Sequence, residues 1–167
     1  MEKHRTVLLV DDDDHVREGL QAVIERAGGT CLAAENGVQA LALLREKAVQ
    51  AIVADHDMPG MDGVELLRLV ATRYPHISRI LLTARREAEV AVRAINVGHA
   101  HRYLTKPCRN SDLLTVLHFA FEASDIQVEN GRLGAELRRQ NALLAEMRRR
   151  YPGVLEEIES RLPKVIS

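Results

Sequence analysis

The sequence predicts an α/β protein built on an open, doubly wound parallel sheet with helices on both faces. Short runs rich in Val, Ile and Leu recur along the chain, segments of helical apolar spacing separate them, and the junctions fall at Gly, Pro and Asn. Parallel strands need crossovers long enough to hold a helix, and strands buried on both faces read as unbroken apolar runs. Strand and helix alternate five times, the pattern expected of this class.

In chain order, the strongest strand candidates are 6–10, 51–54 and 79–83, with weaker ones at 30–34 and 101–105. The first helix carries Val16, Leu20, Val23, Ile24 and Ala27 on one face and closes at Gly28-Gly29. Asn36-Gly37 opens the second, marked by Val38, Leu41 and Leu44. Val64, Leu67 and Val70 mark the third, which stops before Pro75; Val90, Val92 and Ile95 mark the fourth, which stops at Gly98. A fifth helical pattern starts from a cap at Asn110-Ser111-Asp112 and runs to Pro152-Gly153, beyond what a compact domain needs.

With 167 residues, 46% of them apolar, the chain has room for one ordinary domain and an extension. The expected division is a domain at 1–123, a helical extension at 124–151 continuous with the fifth helix, and a short amphipathic segment at 152–167 carrying Val154, Leu155, Ile158 and Leu162. Along the extension, Val116, Ala123, Asn130, Leu137 and Leu144 occupy one heptad seam position. Phe119, Ile126, Leu133 and Met147 occupy the other, with Gln140 the exception. That spacing predicts a coiled coil and a homodimer. Asn130 either sets its register or is simply solvated, and Gly131 and Gly134, each costing about 1 kcal/mol in a helix interior, predict a bend or fraying there.

The formal charge of -1 excludes a global attraction to nucleic acid or anionic lipid. Arg138-Arg139 and Arg148-Arg149-Arg150 read as the solvated flank of the coil, diluted by Glu136 and Glu146, so no nucleic-acid partner is expected. Two cysteines, Cys31 and Cys108, give neither a disulfide framework nor a zinc site and read as reduced intracellular thiols. The start lacks the apolar stretch of a signal peptide and no window reaches a membrane span, so the expected location is cytoplasmic with no membrane partner.

Chemistry in such a sheet gathers at the carboxyl ends of the strands. There the sequence places Asp11 and Asp12, then Asp55, Thr83 and Lys106. Four consecutive carboxylates, Asp11 to Asp14, invite two readings. As helix-capping acids they favour the N-terminal dipole, which accounts for Asp13 and Asp14 but poorly for Asp11, Asp12 and the distant Asp55. Carboxylates this close disfavour joint ionisation unless a proton or cation neutralises them, and a hard divalent ion such as magnesium or manganese takes such oxygens.

The stretches LLVDD at 8–12, DHDMPGMDG at 55–63, LLTA at 81–84 and RYLTKP at 102–107 resemble, together and in this order, the receiver domain of two-component response regulators. The resemblance implies a five-stranded parallel sheet of order 2-1-3-4-5 in a flavodoxin-like three-layer sandwich, followed here by the long C-terminal helix. It further implies that Asp55 is the phosphoacceptor for a sensor histidine kinase or phosphotransfer protein. Asp12 and Asp55 would bind Mg2+ or Mn2+ directly, Asp11 would do so through water, and the backbone carbonyl of Asp57 would complete the set. Thr83, Ala84 and Lys106 would contact the phosphoryl oxygens, the bond before Pro107 would be cis, and Thr83 and Tyr103 would switch. The output would pass through the fourth-helix, fifth-strand and fifth-helix face and the dimerising helix to a downstream protein. Beyond its own phosphorylation and dephosphorylation the chain would not be an enzyme.

Two positions depart from the family pattern. Asp57 and Arg85 flank the phosphoryl position and would set the lifetime of the phosphorylated state. For Tyr103 the alternative is a half-buried strand aromatic; Cys108 reads as small and buried rather than redox-active, and His56, His99 and His101 as packing or surface residues. The span AINVGHAHRYLTKPC with ENGRLGAELRRQNALLAEM is similar to receivers that precede an HD-GYP output domain. The Gly-Tyr-Pro signature is absent, so no cyclic-dinucleotide hydrolysis is expected. Two other functions compete: a phosphorylation-independent scaffold or dimerisation module with the same fold, and a phosphatase using Asp55-His56-Asp57 as a D-x-D nucleophile motif. The second would place that motif on the first strand rather than the third.

Overall fold

In the computed structural model, which describes residues 5–84 and 88–153, the elements follow in strict alternation. They are β1 (Thr6–Val10), α1 (Asp14–Arg26), β2 (Thr30–Ala34), α2 (Gly37–Glu46), β3 (Ala51–Asp55), α3 (Gly63–Arg73), β4 (Ser78–Ala84), α4 (Ala88–Asn96), β5 (Arg102–Lys106) and α5 (Asn110–Arg150). All strand pairs are parallel, in the order β2-β1-β3-β4-β5. Strand periodicity then builds two cores. Val7, Leu9, Val53, Ile80 and Leu82 face α1 and α5, while Leu8, Val10, Ile52, Ala54 and Leu81 face α2, α3 and Ala94 of α4. Each fully buried Leu or Ile contributes about 1.5–3 kcal/mol of transfer free energy, so this double layer is the main source of stability.

The helix ends follow local chemistry. Gly28, at φ 84°, ends α1: its N–H donates to Glu25 O at 3.0 Å and that of Gly29 to Ile24 O at 3.1 Å, the paired bonds of a Schellman stop. Asn36 and Asp62 cap α2 and α3 by accepting the N–H of Gln39 at 2.9 Å and of Glu65 at 2.8 Å. The Asn110-Ser111-Asp112 cap expected for α5 is corrected. Asn110 is already helical, and the N–H groups of Asp112 and Leu113 donate to Arg109 O. Three successive polar residues all look like caps in a sequence, and the path of the chain out of β5 decides which position the helix starts from.

The chain divides into two compact units, Met1–Gln127 and Val128–Ser167. In the first, α5 buries Leu113, Leu117, Ala120, Phe121 and Ser124. Ser78 Oγ donates to Ala120 O at 2.7 Å, and Ser124 Oγ to His76 O at 3.1 Å, which fixes this part of the helix to the start of β4. In the second, the described residues from 128 to 150 are helical, with Leu133, Leu137, Leu144 and Met147 exposed. The predicted amphipathic segment at Val154, Leu155, Ile158 and Leu162 lies outside the described residues.

Gly63 joins this architecture to the strand rim. A Cβ there would stand 2.3 Å from Asp55 O and 2.9 Å from a Leu81 methyl, because α3 begins directly against the end of β3. Backbone cannot yield as a flexible side chain would. Gly63→Ala is expected to lower stability by about 1–3 kcal/mol, read as a fall in the urea midpoint at unchanged slope.

Candidate functional site

Parallel strands share one direction, so their carboxyl ends form a single rim. Asp11 follows β1, Asp55 closes β3, Thr83 lies one residue from the end of β4, and Lys106 closes β5. The register sets Asp55 beside Leu82 and Ala84 beside Lys106. Asp11, Asp12 and Asp55 each bring a carboxylate oxygen within 4.8 Å of the others. Asp11 and Asp55 are 0% and 4% exposed, whereas Asp12 faces solvent. Lys106 Nζ reaches across the rim to both buried acids, 2.9 Å from Asp11 Oδ2 and 2.8 Å from Asp55 Oδ1.

The run of four acids divides by role. Asp13 is the N-cap of α1, accepting the N–H groups of His15 at 2.9 Å and Val16 at 3.2 Å, and Asp14 begins the first turn. Those backbone donors, that of Val16 foremost, lower the Asp13 pKa. Asp11 is held from both sides: Oδ1 accepts the Asp13 N–H at 2.9 Å and Oδ2 accepts from Lys106. Both of its oxygens are therefore engaged within the protein.

One residue of the site escaped the sequence reading. Arg17, in the first turns of α1, donates through Nη1 to Asp11 O at 2.6 Å and pairs through Nη2 with Asp14 Oδ1. An Arg three residues beyond an acid on a helix is an ordinary surface pair by spacing; nothing in the sequence shows that it also reaches the strand end.

Burial raises the pKa of Asp55, and the charges of Asp11 and Asp57 add to that rise while Lys106 opposes it. For Lys106, burial pulls the pKa down, but its bonds to Asp55 and Asp11 outweigh it and the net shift is upward. One ammonium stands against three carboxylates, and Asp12 has no cation or donor among the described residues. Hard divalent ions favour such oxygen sets, with solvent retained in part of the coordination shell. The half-open arrangement of two buried acids and one exposed acid fits that chemistry.

Thr83 is 2% exposed at the rim, and Ala84 beyond it is exposed. Asp57 is removed from the cluster; its carboxylate is 66% exposed and 4.0 Å from His56 Nε2. Tyr103 is 48% exposed on β5, and the Lys106–Pro107 peptide is cis. Arg85 lies outside the described residues. Burial pushes the Cys31 thiol up to about 12 and also raises that of Cys108, so neither is poised as a thiolate. Among the described residues, no helix is long and apolar enough to cross a membrane.

A solved signal receiver domain of an HD domain-containing protein from Pseudomonas fluorescens superposes with a TM-score of 0.74 at 32% identity, covering 77% of this chain and 95% of that one. FleR of Pseudomonas aeruginosa is 40% identical over 111 residues, 66% of this chain and 23% of FleR. An NtrX-like putative response regulator of Rickettsia bellii is 36% identical over 126 residues, 74% of this chain and 26% of that protein. The chain thus spans about a quarter of the length of these curated relatives. The sequence profile of the response regulator receiver domain matches residues 7–118, and with two buried acids bridged by one lysine at the rim of a 2-1-3-4-5 sheet, the chain belongs to the response regulator receiver family.

Proposed function

We propose that this receiver accepts a phosphoryl group on Asp55 from a histidine kinase or phosphotransfer protein and passes the signal through α4, β5 and α5 to a protein partner. The observation that carries the reading is the bridged pair Asp11–Lys106–Asp55, with Asp12 open beside it. The Asp55 carboxylate attacks phosphorus; the P–N bond of a phosphohistidine, or the P–O bond of acetyl phosphate, breaks, and its electron pair leaves with imidazole or acetate. Lys106 stays protonated and offers its ammonium to the phosphoryl oxygens. Asp12 and Asp55, with Asp11 through water and the carbonyl of Asp57, would hold Mg2+ or Mn2+, which supplies charge neutralisation when bound.

New phosphoryl oxygens give the two states different contacts, which any switch requires. In this reading Thr83, buried at the rim, has the new oxygens as partners, and Ala84 approaches them. Tyr103, half exposed, gains burial if its ring turns inward. Asp57 and Arg85 set the hydrolysis rate. The test is intact mass after incubation with acetyl phosphate and Mg2+. One phosphoryl adduct is expected on the parent chain and none on Asp55→Asn or in EDTA. An unlabelled parent, under conditions that label another receiver, would favour the phosphorylation-independent scaffold.

The pH dependence follows from the shifts at Asp55 and Lys106. Labelling needs ionised Asp55 and charged Lys106. In the metal-free protein Asp55 ionises above the usual Asp value of 3.8, and Lys106 loses its proton only above 10.5. A carboxyl whose folded pKa is raised makes the fold bind its proton more tightly than the unfolded chain, so ionisation opposes folding as pH rises through that window. In metal-free buffer at neutral pH, Asp55→Asn should therefore melt above the parent. A gain of 1 kcal/mol would move the midpoint by roughly 2–4 °C, and the difference should vanish below pH 3.8.

The exposed seam of Phe119, Ala123, Ile126, Asn130, Leu133, Leu137, Leu144 and Met147 supports homodimerisation through the C-terminal helix. Leu137→Glu places a charge in the middle of that stripe. It should give a monomer in sedimentation velocity at concentrations where the parent is a dimer, with phosphorylation of Asp55 retained.

A further inference from the structure

Arg17 holds a position that neither helix formation nor an ordinary surface pair requires. Its side chain is 16% exposed, and its guanidinium spans the acidic turn: Nη1 on the Asp11 carbonyl at 2.6 Å, Nη2 on the Asp14 carboxylate. The backbone N–H of the same residue donates to Asp13 O at 2.9 Å, closing the first turn of α1. Arg17 thus touches the peptide that joins Asp11 to Asp12, and its other arm neutralises Asp14. Asp12 has no hydrogen bond or ion pair of its own among the described residues. What orients it is the backbone on either side: the Asp11 carboxylate accepts the Asp13 N–H at 2.9 Å, and Arg17 holds the Asp11 carbonyl.

We infer that Arg17 is a positioning residue for the divalent-cation site, acting through the Asp11–Asp12 peptide rather than by contact with the ion. The inference rests on the metal-binding reading given above. Two effects of the cation oppose each other. A positive charge near the site repels a divalent ion, and removing it would strengthen binding. Against this, the charge of Arg17 is already paired with Asp14, and a mispointed Asp12 loses a direct ligand. Groups that orient metal ligands commonly alter affinity by roughly 10–100-fold, which exceeds what is left of a repulsion already neutralised by the Asp14 carboxylate. Orientation therefore dominates, and the predicted sign is weaker binding without Arg17.

Mn2+ titrated into the full chain by calorimetry, with no phosphodonor present, tests this. Arg17→Met keeps the apolar stem; it should raise the Mn2+ dissociation constant roughly tenfold. Arg17→Lys, which can still donate to the Asp11 carbonyl, should recover most of the loss. At saturating Mg2+ the labelling rate of Arg17→Met by acetyl phosphate should approach that of the parent, a split that general loss of folding would not produce. If Arg17→Met binds Mn2+ as tightly as the parent, or more tightly, repulsion governs and the inference is overturned while the metal site stands. Should Arg17→Met fail to fold, Arg17→Lys and Asp14→Asn decide. Lys binding within threefold of the parent with Asn weakened supports positioning, and loss in Lys as complete as in Asn overturns it. A parent chain that binds no Mn2+ would overturn the metal site itself and this inference with it.

Discussion

The contact on which the rest of the rim depends is the reach of Lys106 Nζ to Asp11 and Asp55. Two carboxylates almost wholly out of water could not both remain charged without it. The lysine comes from the edge strand β5, whereas its partners stand on β1 and β3 with β4 between. A long side chain from the edge therefore spans the sheet to neutralise its centre. The contact is also asymmetric in its consequences. It leaves Asp55 with a raised pKa, because burial and two neighbouring acids outweigh one ammonium, and it leaves Asp12 without a partner among the described residues. The site keeps an uncompensated negative charge at its open side.

The sheet order places that charge where a ligand can reach it. Chain order reverses between β1 and β3, so the helices leaving these neighbouring strands cover opposite faces and a crevice opens between their first turns. Gly63 allows α3 to start against β3, and Asp13 and Arg17 hold the start of α1. Loop, cap and strand end are one packed unit here. A substitution that merely loosens packing at this end also moves the acids.

Much of this was legible in the sequence, for a physical reason. Buried parallel strands leave unbroken apolar runs, and Gly28 and Asn36 perform jobs that few residue types can. What was not legible depends on the third dimension. Arg79 read as the first residue of an apolar strand; it is 6% exposed, and its guanidinium donates to the carbonyls of His99 and Ile77 at 2.9 Å and approaches His101 Nε2 at 2.8 Å. Burial, and then the charges of Arg79 and Arg102, lower the His101 pKa, which keeps that ring neutral. Spacing of 20 and 22 residues carries no local signal for such a contact. Arg17 was hidden for the opposite reason, since its local signal was commonplace.

In the proposed function, the raised pKa of Asp55 is the cost that makes the site useful. A carboxylate fully satisfied by its neighbours would be a stable structural ion pair and a poor acceptor, with little to gain from a cation or a phosphoryl group. Asp55 is instead held nearly buried, bonded through one oxygen and repelled by two other acids. In that reading a divalent ion bound beside Asp12 would relieve the repulsion, and phosphorylation would present new oxygens to Lys106 and Thr83. Local instability of this kind is tolerable because two buried apolar cores lie below the rim. The sheet supplies stability in excess, and the rim uses part of it to keep a charge poised.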